Sequence, residues 1–150
     1  MAALFAFLHH VSAFTLFAAL VVEFVLIRGT LTLENARKIM RADMIFGISA
    51  GVVLLVGLAR VFYFEKGATY YFHTWTFHAK LSLFVIVGLI SIIPTLEFLR
   101  WRPAVKAGQV PAVSPEKIKS IRSIIHYEML GVVLIILFAA LMARGIGLRT

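Results

Sequence analysis

Histidines mark the outer ends of two long apolar segments in this 150-residue sequence. His9 and His10 lie near the start of the first segment, and His73 and His78 lie at the start of a later one. Ionisable groups at the ends of membrane helices are costly to keep, which makes them candidates for a functional site. We expect these histidines to gather at one membrane surface, around one cofactor pocket, with three nearby cations, Arg60, Lys66 and Lys80.

This set of residues suits a b-type haem. Imidazole supplies one or two axial ligands, the porphyrin needs an apolar helix bundle, and its anionic propionates seek cations at the water boundary. The chain has no cysteine, which excludes disulfides, thiolate metal sites, iron–sulfur clusters and covalently attached c-type haem. The same histidines could bind copper or zinc if they converge, and their spacing does not separate the two alternatives.

Helical phase selects the inward-facing histidines. At about 100° per residue, His9 shares one stripe of the first helix with Ser12, Leu16, Leu20 and Glu23. On the later helix, His78 shares a face with Ser82, Val85 and Leu89, whereas Lys80 points the other way. We therefore predict His9 and His78 as the ligands of a haem iron or another metal. The histidines less favoured as ligands are His10, His73 and His126.

The remaining pocket residues follow from charge and aromatic character. Arg60 and Lys80 are expected to neutralise propionates or an anionic substrate. Aromatic rings near the same end are expected to shape the outer pocket, namely Tyr63, Tyr70, Tyr71 and Trp75. A second group of ionisable residues lies close to the other end, namely Glu23, Asp43, His126 and Glu128. This group indicates either a proton entry or an ion-paired cluster with Arg28 and Arg122, and the ion-paired cluster is favoured.

The elements that position these residues are four apolar segments. Hydrophobic residues make up 61% of the chain and charged residues 15%, which is not the composition of a soluble domain. Each segment approaches the roughly 20 residues that a helix needs to cross the hydrocarbon core. The sequence predicts an all-α transmembrane four-helix bundle, a single membrane domain over residues 1–150, with helices at about 4–27, 44–64, 77–99 and 124–143.

Charge predicts the orientation. Ten of the fifteen lysines and arginines lie in the two connections that share one side, so the positive-inside rule places both termini outside the cytoplasm. We expect a multi-pass protein of the cell membrane, and more specifically of a bacterial inner membrane. The net charge of +8 is then explained by topology and by attraction to anionic membrane lipid, with no nucleic-acid partner. The first segment is expected to be retained, since it lacks the features of a signal peptide.

Small residues line the second apolar segment. Gly47 and Gly51 have the GxxxG spacing, which favours close packing of another helix and, less strongly, contact with a flat macrocycle.

Two stretches resemble the HemJ-type protoporphyrinogen IX oxidases, which are small multi-helix membrane proteins. One runs from Leu8 and His9 to Phe17-Ala18-Ala19-Leu20, and the other is Phe77-His78-Ala79-Lys80-Leu81. The resemblance covers about the first hundred residues, although Leu16 stands where that family has a tryptophan. It places the family's histidines on His9 and His78, and it implies haem binding and oxidation of a porphyrinogen, with a quinone as electron acceptor. More distant relatives within this group of membrane proteins also resemble the copper-resistance D membrane proteins.

Three functions therefore remain open. The leading hypothesis is an integral membrane b-type haem-binding redox protein that oxidises a porphyrinogen or exchanges electrons with quinone. The alternatives are a copper-binding or copper-transport membrane protein and a non-catalytic membrane subunit. These residues are compatible with an enzyme or a non-enzyme, and with a monomer or a homo-oligomer.

Overall fold

The computed structural model describes residues 1–64 and 68–147, and in that part of the chain it is helical with no strand. The prediction of an all-α fold is therefore confirmed. Four helices are long and apolar enough to cross a membrane. In chain order, the elements are α1 (Ala2–Leu26), α2 (Leu33–Ala59), a π-helical turn (Arg60–Phe64), α3 (Ala68–Phe72), α4 (Trp75–Lys106) and α5 (Pro115–Ala143).

Three helices extend beyond the apolar segments that the sequence shows. α2 begins at Leu33 because the Thr32 side chain accepts a hydrogen bond from the Asn35 N–H (3.1 Å), which caps the first turn. α5 begins at Pro115 because the Ser114 hydroxyl accepts from the Lys117 N–H (3.2 Å). α4 continues to Lys106. Hydropathy alone marks the lipid-spanning parts of these helices and misses their polar extensions.

The spanning helices alternate in direction and form two hairpins, α1 with α2 and α4 with α5. α2 also touches α4, and α1 touches α5, whereas α1 and α4, both fully described, share no contact and occupy opposite corners. We call the end with Met1, residues 60–64 and 68–74, and Gly147 the terminal end. The end with the connections at residues 27–32 and 107–114, which carries most of the positive charge, is called the basic end.

Packing differs along the bundle axis. The fully buried side chains Ile27, Ile39, Phe98, Ile121 and Ile125 lie towards the basic end. By contrast, the parts of the four spanning helices nearer the terminal end contain no buried residue. These parts are residues 2–15, 50–59, 78–86 and 133–143. We call this region the open layer.

A small apolar cluster closes the terminal end beyond the open layer. It consists of Val61, Tyr71 and Phe77. The open layer therefore lies between two better packed regions.

The segment that follows α5 is bonded to the start of α4. The Trp75 N–H donates to the Gly147 carbonyl (3.0 Å), and the Thr76 hydroxyl donates to the Ile146 carbonyl (3.0 Å). Gly147 has a φ of +103°, and a Cβ there would run into Trp75 and Thr76. Glycine at this position lets the backbone approach α4 closely.

The GxxxG pair is not used for packing within the chain. Gly47 and Gly51 are exposed, and no atom lies within 4 Å of the place that a Cβ would take at either position. The expectation that another helix packs there is therefore wrong for the single chain, because α2 turns its Ala42, Phe46 and Ser49 face inward.

Candidate functional site

His9 is the histidine that enters the bundle. Its side chain is half-buried in the open layer, and its Nδ1 atom is buried without a hydrogen-bond partner. The ring packs against α2, where a Cβ at Gly57 would lie 3.2 Å from Cε1 and 3.5 Å from Nδ1, and a weak hydrogen-bond interaction with the backbone of Val53 reaches the ring. The α1 stripe predicted from helical phase is also observed, since Leu16, Leu20 and Glu23 are buried.

Two cations lie within electrostatic range of this histidine. The positive charges of Lys80 and Arg60 both act electrostatically on the His9 ring, that of Lys80 more strongly. Lys80 comes from α4 at the opposite corner of the bundle, and Arg60 begins the π-helical turn that follows α2. Short π-helical segments within helices are frequent at functional sites. The third expected cation, Lys66, lies outside the described residues.

His78 takes a different position from the one that the sequence predicts. Its side chain is exposed, and its Nε2 donates to the Phe72 carbonyl (2.8 Å). The residues predicted to share its face, Ser82, Val85 and Leu89, are exposed as well.

The inward face of α4 is the one that carries Lys80. Lys80 lies on the same stripe as the buried residues Val87, Pro94 and Trp101, since the four follow one another at seven-residue spacing. Packing along the rest of α4 therefore turns Lys80 towards the bundle and His78 away from it.

A surface cleft of about 240 Å³ adjoins His78, and Phe72, His73 and Trp75 line the rest of it. This volume is below the roughly 300–1,000 Å³ of typical small-molecule sites. The other predicted aromatic residues do not join this cleft. Tyr71 is buried in the terminal cluster with Tyr70 packed against it, whereas Tyr63 is 80% exposed.

The other three histidines are exposed. The Nδ1 atoms of His10 and His73 donate to the carbonyls of Ala6 (2.6 Å) and Thr69 (2.7 Å), one turn earlier in each helix. His126 lies towards the basic end, where its ring stacks on Phe24 at 6.0 Å. Within residues 1–64 and 68–147, no three histidine, aspartate or glutamate side chains are grouped as a metal site would require. The structure thus places Arg60 and Lys80 within electrostatic range of His9, whereas His78 is exposed.

A second polar feature lies deeper, between the open layer and the basic end. Three carboxyl groups from three helices, Glu23 of α1, Asp43 of α2 and Glu128 of α5, are 1%, 9% and 1% exposed. Their charges act on one another. From α4, the Thr95 hydroxyl donates to Oδ1 of Asp43 (2.6 Å), so that every spanning helix contributes to the group. We call these four residues the acid cluster.

The arginines expected to neutralise these acids are directed elsewhere. Arg122 donates to the Ile27 carbonyl (3.3 Å), and the Arg28 guanidinium lies over the Phe24 ring, 4.1 Å from its centroid. The ion pairs found among the described residues join Glu34 to Lys38 and Glu97 to Arg100 and Lys117. The favoured expectation of an ion-paired cluster is therefore wrong, and His126 also stands outside the group. The sequence already indicated that Glu23 faces the interior of the bundle, because Glu23 falls on the inward stripe of α1.

The fold and these two sites define a polytopic membrane protein that encloses ionisable side chains within a four-helix bundle. More particularly, the chain belongs to the family described as "Predicted membrane protein (DUF2214)", whose model matches residues 1–147. That description supports the membrane assignment and names no activity. No curated protein and no solved structure matches the chain.

Proposed function

We propose that this protein is an integral membrane b-type haem-binding redox protein in which His9 is an axial ligand. The observation that carries the proposal is the Nδ1 atom of His9, which is buried without a hydrogen-bond partner inside the open layer. Buried polar atoms are nearly always satisfied, and those that are not call for a functional explanation. A metal-bound group is one such explanation for an imidazole.

The surroundings of His9 fit a flat anionic cofactor. Gly57 offers no side chain on the α2 surface, so the His9 ring can lie directly against this helix. Lys80 and Arg60 supply positive charge on the terminal side of the same layer, where two propionates would meet water. The open layer contains no buried side chain, so it can adapt to a bound group without disrupting a packed core.

His78 is the candidate for a second ligand, as the motif that resembles the HemJ-type oxidases implies. Its Nε2–H is engaged with the Phe72 carbonyl, which leaves Nδ1 as its free acceptor. Because the side chain is exposed, it would have to turn inward to face His9. We therefore assign the principal role to His9 and treat ligation by His78 as a separate step to be tested.

A haem bound here would supply one-electron chemistry, and a membrane quinone is the proposed electron partner. Oxidation of a porphyrinogen is the reaction that the resemblance implies, and the aromatic rings of Tyr70 and Trp75 offer stacking surfaces near the terminal end. The proposed location is a bacterial inner membrane, with the basic end in the cytoplasm and both termini outside it.

The test is the absorption spectrum of the detergent-purified protein, oxidised and after reduction with dithionite, together with iron and copper analysis of the same sample. We expect a Soret band, a sharp reduced α-band and stoichiometric iron. His9→Ala should lose the haem, whereas His10→Ala, one residue away and exposed, should keep it. Equal haem content in the two variants would reject His9 as the ligand.

The same sample separates the alternatives. His78→Ala should retain haem if His9 alone holds it, and a change of spin state in that variant would identify His78 as the second ligand. Copper without haem would overturn the proposal in favour of a copper-handling protein. A folded protein with neither metal, after expression with sufficient haem, would overturn it in favour of a non-catalytic subunit. Turnover of protoporphyrinogen with a quinone acceptor then tests the enzymatic version.

A further inference from the structure

We propose that the acid cluster is a proton-binding site inside the membrane, in which Glu23 and Glu128 carry the protons and Asp43 is the hydrogen-bond acceptor that Thr95 holds in place. The inference concerns residues remote from His9. It therefore stands or falls independently of haem binding.

The first support is the environment of the three carboxyl groups. Each comes from a different helix, and none is more than 9% exposed. Moving an ionised carboxylate out of water is strongly unfavourable unless a cation compensates its charge. Three mutually repelling carboxylates at this depth would be more costly still. Binding protons removes most of that cost.

The second support is a pair of atoms without partners. Oε1 of Glu23 and Oε1 of Glu128 are buried and make no hydrogen bond, although each side chain is only 1% exposed. The charges of Asp43 and Glu128 both act on the Glu23 carboxyl, so the three groups lie within electrostatic range of one another. A proton on one of these oxygens would give the group a donor, which is what a set of acceptor-only carboxylates lacks.

The charged groups on the surrounding helices do not supply an alternative to the proton. On α1 and at its end, Arg28 lies over Phe24, and on α5 Arg122 is bonded to the Ile27 carbonyl while His126 is exposed. On α4, Glu97 is the nearest acid in sequence to Thr95, and it faces Arg100 and Lys117. On α2, Lys38 pairs with Glu34 near the start of the helix, and Arg37 and Arg41 are exposed.

A metal cation is the main competing ligand for three carboxyl groups. Among the described residues, however, no three acidic or histidine side chains are close enough together to coordinate a metal ion. The hydrogen of the Thr95 hydroxyl is also committed to Asp43 at 2.6 Å, a short bond of the kind that forms to a carboxylate oxygen. This arrangement assigns the negative charge to Asp43 and the protons to the two glutamates.

The test is infrared spectroscopy of the whole protein in lipid nanodiscs at neutral pH. A protonated carboxylic acid gives a C=O stretching band that ionised carboxylates lack, and this band shifts in heavy water. We expect the band in the wild-type protein, with roughly half of it lost in Glu23→Gln and half in Glu128→Gln. Glu116→Gln, which changes an exposed acid at the start of α5, should leave it unchanged.

Conservative variants keep the test decisive if a glutamine substitution prevents folding. Glu23→Asp and Glu128→Asp retain an acid, so each should preserve the band with a shifted frequency. Absence of the band from wild-type protein at neutral pH would overturn the proposal, as would an equal band in wild type and in both glutamine variants. Loss of the wild-type band on exchanging choline for sodium or magnesium at constant ionic strength would reassign the site to a metal cation.

Discussion

The imidazole of His9 packs against Gly57 so closely that a Cβ at position 57 would lie 3.2 Å from Cε1 of the ring. That distance is tight, and the neighbouring atoms belong to the side chain that we propose as the haem ligand. The contact links α1 to α2 in the open layer. A substitution at Gly57 can therefore displace the His9 ring without removing it.

Gly57→Leu should displace the His9 ring and weaken haem binding. The expected loss is about 10-fold to 100-fold in affinity, the range found when the support of a metal-ligating histidine is disturbed. Haem titration of the apoprotein, followed at the Soret band, measures it. Gly51→Leu is the matched control, because a Cβ at that position meets no atom within 4 Å. The same affinity in both variants would contradict the role of the Gly57 contact.

Thr95→Val should destabilise the protein because it removes the hydroxyl that binds Asp43. A buried acceptor left without its donor costs about 1–3 kcal/mol. Thr95→Ser keeps the hydroxyl and should stay near the wild-type stability. The measurement is the equilibrium unfolding free energy in mixed micelles, followed by circular dichroism. A Val variant as stable as the Ser variant would show that this hydrogen bond contributes little.

Gly131→Ala should loosen the packing of α4 on α5. A Cβ at Gly131 would collide with Cγ2 of Val87, a stiff β-branched side chain that is itself buried. Overpacking costs about 1–3 kcal/mol, which exceeds the gain of about 1 kcal/mol from replacing glycine by alanine in a helix. We expect a lower thermal midpoint in detergent. Gly88→Ala, with open space around it on α4, should not lower the midpoint.

Both ends of the described chain should be reachable from outside the cytoplasm. The sequence has no cysteine, so single cysteines can be introduced and labelled without background. In intact cells, a membrane-impermeant maleimide should label Ile146→Cys at the terminal end and fail to label Gln109→Cys at the basic end. Labelling of position 109 alone would reverse the orientation, and both positions should react once the membrane is permeabilised.

The sequence by itself determined the four membrane helices and the inward stripe of α1. Long apolar segments must become helices in lipid, because no water is present there to satisfy the backbone. The stripe from His9 to Glu23 followed from the period of a single helix, which needs no knowledge of its neighbours. The start of α2 was harder to predict, because the Thr32 cap extends this helix into polar sequence.

Only the tertiary structure decided which face of α4 turns inward and which acids meet. Periodicity separated His78 from Lys80, but the prediction that His78 is the residue facing the bundle does not match the packing of α4. The buried residues Val87, Pro94 and Trp101 settle that rotation in favour of Lys80. Glu23, Asp43 and Glu128 lie on three helices, and their approach depends on how those helices pack. Contacts between residues distant in sequence fix that geometry, and no local pattern encodes it.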